Sequence, residues 1–270
     1  CNVQVTPLHQ GEEEIVRLVT CFNEARARFA AEQPLKIMLL QHGYVAEDEA
    51  DARLAAEELN RFYHYFGAWF KNQRPVRQGL IQPLSDEEIA DTTAAFNLTD
   101  SRPIVGFCPG AEFGPAKRWP HYHYATLAQR LIENGYQIAL FGSAKDHEAG
   151  EQIRAALQED ARDFCLNLAG KTQLEQAVIL IAACRAVVSN DSGLMHVAAA
   201  LNKPLIALYG PSSPDFTPPL SDKARVIRLI SGYHKVRKGD AEQGYHQSLI
   251  DIQPQQVLDA LTPLLVASEE

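Results

Sequence analysis

From Pro103 to Tyr209 short, uninterrupted apolar segments alternate with longer segments of helical periodicity, and this alternation constrains the fold more than any other feature of the chain. The apolar segments are 103–108 (PIVGFC), 137–141 (QIALF), 165–168 (CLNL), 186–189 (AVVS) and 204–209 (PLIALY). A strand that is apolar on consecutive residues must be covered on both faces. Between these segments, Tyr122–Glu133, Asp146–Leu157, Leu174–Cys184 and Leu194–Leu201 read as helices, the first stopped by Gly135. Strand, helix and strand in repetition predict a parallel sheet with right-handed crossovers. The expected fold class is therefore α/β, with a C-terminal doubly wound, Rossmann-like domain over residues 101–270. In such sheets ligands sit at the carboxyl ends of the strands, so function is expected in the loops after Phe107, Phe141, Ser189 and Tyr209.

The preceding residues read differently. Residues 83–100 are expected to form a connecting helix, opened by a capping box at Ser85 and Glu88 and running toward Phe96. Residues 1–82 read as an atypical, mostly helical region, truncated or replaced relative to an ordinary first domain. Glu12–Ala31 and Glu47–Lys71 are its candidate helices, and Leu35–Leu40 is a short strand or a buried helical turn. The aromatic residues around Tyr63, Phe66 and Trp69 suit a core or an interface better than a ligand box. The chain opens on Cys1 rather than methionine, as a processed, truncated or fragmentary product would.

Composition serves mainly to exclude. A net charge of −9 argues against broad nucleic-acid binding, which needs a basic footprint. The five cysteines show neither a CxxC pair nor zinc-ligand spacing, so buried, reduced thiols in a cytosolic protein are expected. No apolar run approaches the roughly 20 residues needed to span a bilayer. A basic run, Arg225, Arg228, His234, Lys235, Arg237 and Lys238, surrounds Gly232 and Gly239. It suits either an anionic ligand or a solvated loop.

Four strand-end loops hold the chemistry. The first, 108–120 (CPGAEFGPAKRWP), combines Gly110 and Ala111, which let backbone approach a ligand, with Lys117, a point charge suited to phosphate. The second, 142–146 (GSAKD), is a small-residue turn. The third, 190–196 (NDSGLMH), passes directly from strand to helix and offers the N–H groups of Ser192, Gly193 and Leu194 to a phosphate. Asp191 falls at or near that helix's N-cap, where capping is its simplest role. The fourth, 210–214 (GPSSP), is a rigid turn. Neither GxxxxGK[ST] nor GxGxxG is present, so the set points to one diphosphate ligand spread across strand ends rather than to a Walker or dinucleotide site.

In this order, PGAEFGPAKRWP, LFGSAKD, NLAGKTQL, VSNDSGLMHVAAAL and ALYGPSSP resemble glycosyltransferase family 9, the heptosyltransferases, over residues 83–270. The resemblance implies a GT-B-type architecture whose C-terminal domain binds ADP-heptose and whose N-terminal domain binds the lipopolysaccharide inner-core acceptor. It implies inverting, metal-independent transfer of heptose onto a heptose of the core, by a cytoplasmic enzyme in peripheral contact with the inner membrane. No cofactor is implied. Carried over by position, Lys117 holds the diphosphate and stabilises departing ADP, with Gly110 and Ala111 lining the same loop. Asp191 bonds sugar hydroxyls, and Ser192 and Gly193 donate to the phosphates. His196 lies near the donor or is a buried structural histidine, and Thr172 and Leu174 border the adenine and ribose. Residues 1–82 lack the family's opening strand and glycine-rich turn, whose aspartate is the proposed general base. Gly43–Val45 is the nearest candidate turn, and neither Asp48 nor Asp51 can be assigned the base from sequence. The alternatives are a non-catalytic module that binds ADP or an ADP-sugar, and a related glycosyltransferase using another nucleotide sugar.

Overall fold

The computed structural model describes residues 3–5, 11–29, 37–39, 45–69, 76–77, 80–81, 84–98, 102–112, 114–232, 236 and 239–266. It divides into two units, Cys1–Pro83 and Leu84–Glu270. In the first, β1 (Val3–Val5) pairs in parallel with β2 (Ile37–Leu39), and α1 (Gly11–Phe29) connects them. Then follow α2 (Glu49–Trp69) and a short antiparallel pair, β3 (Val76–Arg77) with β4 (Leu80–Ile81). The two helices lie where periodicity places them, and within the segment 35–40 the described residues Ile37–Leu39 are strand. The parallel pairing joins residues more than thirty positions apart, so no local pattern announces it. Gly43 and Tyr44 lie outside the described residues.

The second unit opens with α3 (Asp86–Ala95). Its capping box is complete: Glu88 N–H donates to Ser85 Oγ at 3.2 Å and Ser85 N–H to Glu88 Oε2 at 3.4 Å. Alternating strands and helices follow, namely β5 (Ile104–Cys108), α4 (His121–Glu133), β6 (Gln137–Leu140), α5 (His147–Ala155) and β7 (Cys165–Asn167). The chain continues through α6 (Leu174–Ala183), β8 (Ala186–Asn190), α7 (Gly193–Ala200) and β9 (Leu205–Leu208). It ends with β10 (Ala224–Ile227), α8 (Gln247–Ile250) and α9 (Pro254–Val266).

Strands β5 to β10 form one parallel sheet of order β10-β9-β8-β5-β6-β7. Winding proceeds from β5 outward to β7, then returns to β8 on the opposite flank of β5 and proceeds outward again. The fold is thus doubly wound, and its switch point lies between β5 and β8. Both faces are dry. Val105, Phe107, Ile138, Leu140, Val188, Ile206 and Leu208 face a cluster that includes Leu127 and Leu131 of α4 and Val257 and Leu261 of α9. Ile104, Cys108, Ala139, Val187, Leu205 and Ala207 face the other, with Leu180 and Ile181 of α6 and Ala198 of α7. This two-sided burial is why the strands read as continuous apolar runs.

Three thiols meet the expectation of burial, Cys108, Cys165 and Cys184, whereas Cys21 is exposed on α1. Loss of hydration pushes the Cys184 thiol up to about 12. Among the described residues, no helix is long and apolar enough to cross a membrane.

Candidate active site

At the switch point the loop after β5 meets the end of β8. The chain leaves β5 through Pro109, Gly110 and Ala111 and turns at Gly114, where φ is 114°. It then makes a single 3-10 turn, Pro115–Lys117. One buried side chain holds this loop against the sheet. Asn190, the last residue of β8, is fully buried, and its Oδ1 accepts the Trp119 backbone N–H and the Tyr124 hydroxyl, each at 3.1 Å. Its Nδ2 donates to the Pro109 carbonyl at 2.7 Å. Trp119 is fastened separately, its indole N–H donating to the Ile252 carbonyl at 2.8 Å.

With both ends of the loop fixed, Lys117 reaches Asp191, the residue after β8. Lys117 Nζ lies 2.6 Å from Asp191 Oδ2, and the Asp191 residue is 8% exposed. The other carboxylate oxygen, Oδ1, accepts from Thr217 Oγ1 at 3.3 Å. Asp191 is therefore not the helix cap that its position in sequence suggests. The N-cap of α7 is Ser192, whose own side chain makes no capping bond. Ser192 Oγ instead lies 3.2 Å from Ser189 Oγ, which leaves the first N–H groups of α7 uncapped by side chains. Around Gly193 the space is open, since a Cβ there would meet no atom within 4 Å. A cation, an oriented carboxylate and a helix N-terminus at one switch point can seat a diphosphate and stabilise charge on a leaving oxygen.

The neighbouring loops are joined through Asp146. Its carboxylate Oδ2 accepts the Ser143 N–H at 2.9 Å and the Ser143 hydroxyl at 2.7 Å, while Oδ1 lies 3.4 Å from Arg118 Nη2. Gly110 packs directly on this carboxylate, and a Cβ at that position would stand 2.5 Å from Asp146 Cγ. Beyond it, Gly170 N–H donates to the Gly142 carbonyl at 3.0 Å, which ties the loop after β7 to the loop after β6. Thr172, half-buried, follows on the loop after β7, and Leu174, 69% exposed, opens α6. His196 is exposed on α7, so the reading of it as a buried structural histidine fails.

Sequence reasoning names Lys117, Gly110, Ala111, Asp191, Ser192 and Gly193, and the structure gathers all six around one strand-end junction. It misses Asn190, Asp146 and Thr217, the three residues that hold the others. Arg225 and Arg228 of the basic run donate to main-chain carbonyls, of Ala260 at 3.3 Å and of Gly210 at 3.3 Å. His234, Lys235, Arg237 and Lys238 lie outside the described residues. Asp48 and Asp51 both serve the start of α2: Asp48 Oδ1 accepts the N–H of Asp51 at 2.9 Å, and Asp51 Oδ2 that of Glu47 at 2.9 Å. Among the described residues, no group of three or more His, Cys, Asp or Glu is placed to hold a metal ion.

Residues 66–246 match the family model for glycosyltransferase family 9 (heptosyltransferase). The chain is 67% identical over 209 residues to lipopolysaccharide heptosyltransferase 2 of Escherichia coli K12, covering 75% of this chain and 60% of that protein. It thus spans about 60% of the length of that relative. The solved structure of E. coli ADP-heptose lps heptosyltransferase II superimposes with a TM-score of 0.65 and 39% identity, covering 100% of both chains. A stretch of 90 residues is 61% identical to the oxygenase component of the flavin-dependent trigonelline monooxygenase of Acinetobacter baylyi, covering 33% of this chain and 25% of that one.

Proposed function

On the premise that this chain belongs to glycosyltransferase family 9, the heptosyltransferases, we propose that its second unit is the donor half of a lipopolysaccharide heptosyltransferase. It binds ADP-heptose and takes part in inverting transfer of the heptose onto a heptose of the inner core. The reaction belongs at the cytoplasmic face of the inner membrane, where the enzyme is peripheral. Lys117 holds the diphosphate and stabilises departing ADP, the Gly110–Ala111 backbone lines the phosphate loop, and Ser192 and Gly193 donate backbone N–H groups. Asp191 accepts from sugar hydroxyls, His196 borders the donor, and Thr172 and Leu174 border the nucleoside. The observation that carries this reading is the meeting of Lys117 and Asp191, 2.6 Å apart, at the switch point between β5 and β8. Positive charge and oriented N–H groups aimed at a leaving diphosphate stabilise the charge that develops on it during such a transfer. Calorimetric titration with ADP and ADP-heptose tests it. Micromolar binding that a Lys117→Ala/Asp191→Ala double variant loses supports the assignment, and absence of binding by the folded wild-type chain overturns it.

A second reading concerns the first unit. We infer that the monooxygenase-like stretch covers the start of the chain, because the family match begins only at residue 66; at 90 residues the stretch is longer than the first unit and overlaps the beginning of that match. On this reading residues 1–65, ahead of the family match, have a different ancestry from the donor half and take no part in holding ADP-heptose. A variant in which residues 1–60 are replaced by an unrelated soluble domain then keeps the wild-type affinity for ADP-heptose. A tenfold loss would count against separate roles.

A further inference from the structure

We propose that Thr217 is a positioning residue for Asp191 and, through it, for the sugar of the bound nucleotide sugar. The inference rests on the donor-site reading of Lys117 and Asp191 and adds to it a residue that no strand-end motif contains. The two oxygens of Asp191 are held from two different loops. Oδ2 faces Lys117 Nζ at 2.6 Å, from the loop after β5, and Oδ1 accepts Thr217 Oγ1 at 3.3 Å, from the loop after β9. A carboxylate held at one oxygen still turns about its final torsion, which is soft. Held at both, it presents its remaining lone pairs in one direction.

Thr217 is built to act as the second point. It precedes Pro218, which restricts its backbone to extended conformations, and its β-branched side chain has few rotamers. Its carbonyl accepts the hydroxyl of Tyr209, a fully buried residue at the end of β9, and that hydroxyl also lies 3.3 Å from Met195 Sδ of α7. Thr217 itself is exposed, so it stands at the rim where a ligand would enter, anchored by a buried neighbour. Its hydroxyl adds no charge to the site. Its removal therefore changes how Asp191 is aimed and leaves the Lys117 charge in place. The sugar contact depends on that aim; the diphosphate contact does not.

The test is calorimetric titration of ADP and ADP-heptose against wild type, Thr217→Val and Thr217→Ser, with thermal melts of each. Thr217→Val, equal in shape but without the hydroxyl, is expected to bind ADP-heptose five- to tenfold more weakly while ADP affinity changes less than twofold. Thr217→Ser restores ADP-heptose binding. Unchanged ADP-heptose affinity in Thr217→Val, or equal losses for both nucleotides at an unchanged melting temperature, would overturn the positioning role while the donor site stands. Wild type that binds neither nucleotide would overturn the donor-site reading and this inference with it.

Discussion

Asn190 Oδ1 accepts the backbone N–H of Trp119 at 3.1 Å, and this bond joins the end of β8 to the far side of the loop that presents Lys117. The same amide donates to the Pro109 carbonyl on the near side of that loop. Its orientation is unambiguous, since one end faces two donors and the other faces carbonyls. Asn190→Ala leaves the Trp119 N–H, the Tyr124 hydroxyl and the Pro109 carbonyl without this partner. Buried groups left unpaired each cost on the order of 1–3 kcal/mol, so a total loss of about 3 kcal/mol is expected in denaturant melts. Asn190→Asp keeps the acceptor but loses the donor and buries a charge. It is expected to be at least as destabilising, and more so at neutral than at acid pH.

Lys117 and Asp191 form a compact pair, with Lys117 only partly covered. Lys117→Ala is expected to weaken ADP binding at least tenfold, because a charge-assisted contact to phosphate is lost. The melting temperature should fall as well, since the nearly buried Asp191 carboxylate loses its cation and the Thr217 hydroxyl bond alone does not compensate it. Lys117→Arg restores only part of the affinity. A guanidinium is larger and planar and spreads its charge over a fork of donors, so it does not reproduce the point charge that the ammonium places beside Asp191. The wild-type affinity falls as salt is raised, and that slope flattens in Lys117→Ala.

The sheet was legible because every inner strand is covered on both faces, which leaves unbroken apolar runs in the sequence. The edge strand β10 escaped notice for the converse reason. Ala224 and Ile227 are half-buried, Arg225 and Val226 are exposed, and no pattern distinguishes those four residues from loop. In the site, Lys117 and Asp191 stood out because each follows an apolar strand within a loop of small residues. Asn190 and Thr217 did not. A lone asparagine ending a strand and a threonine in a proline-rich loop are ordinary in sequence, and their work is defined only by partners some 70 and 26 positions away. The first unit offered helices but no hint that three-residue strands pair in parallel across α1.

Gly110 and Asp146 are coupled by contact. A Cβ at Gly110 would stand 2.5 Å from the Asp146 carboxyl carbon, so Gly110→Ala must displace a side chain that holds Ser143 and faces Arg118. The expected cost is about 2 kcal/mol. Asp146→Ala alone loses the bonds to Ser143 and costs on the order of 1–2 kcal/mol. In the double variant the clash has no partner, so the two losses are expected to fall short of additivity by about 1 kcal/mol. Full additivity, measured by denaturant unfolding, would mean that the loop moves rather than the carboxylate.

His123 makes the stability of the second unit depend on pH. Its ring lies 5.4 Å from the Trp119 ring, and Nε2 bonds the Ile250 carbonyl at 2.9 Å. Burial lowers its pKa below the ordinary 6.5, opposed by that carbonyl contact. Above pH 6.5 the imidazole is neutral in both folded and unfolded chains, so the folded state bears no penalty. As pH falls below 6.5 the unfolded chain takes up the proton first, and stability declines until the folded state also protonates. Half-buried His121, lowered by loss of hydration, adds to the slope in the same direction. Melts followed by Trp119 fluorescence in a Trp69→Phe background should therefore show a falling midpoint from pH 7 to pH 5. His123→Gln keeps a donor for the Ile250 carbonyl without a titrating ring, and it is expected to flatten that decline. If the decline persists unchanged, His121 or the carboxylates that lose their charge over the same range are responsible, and His123 is not.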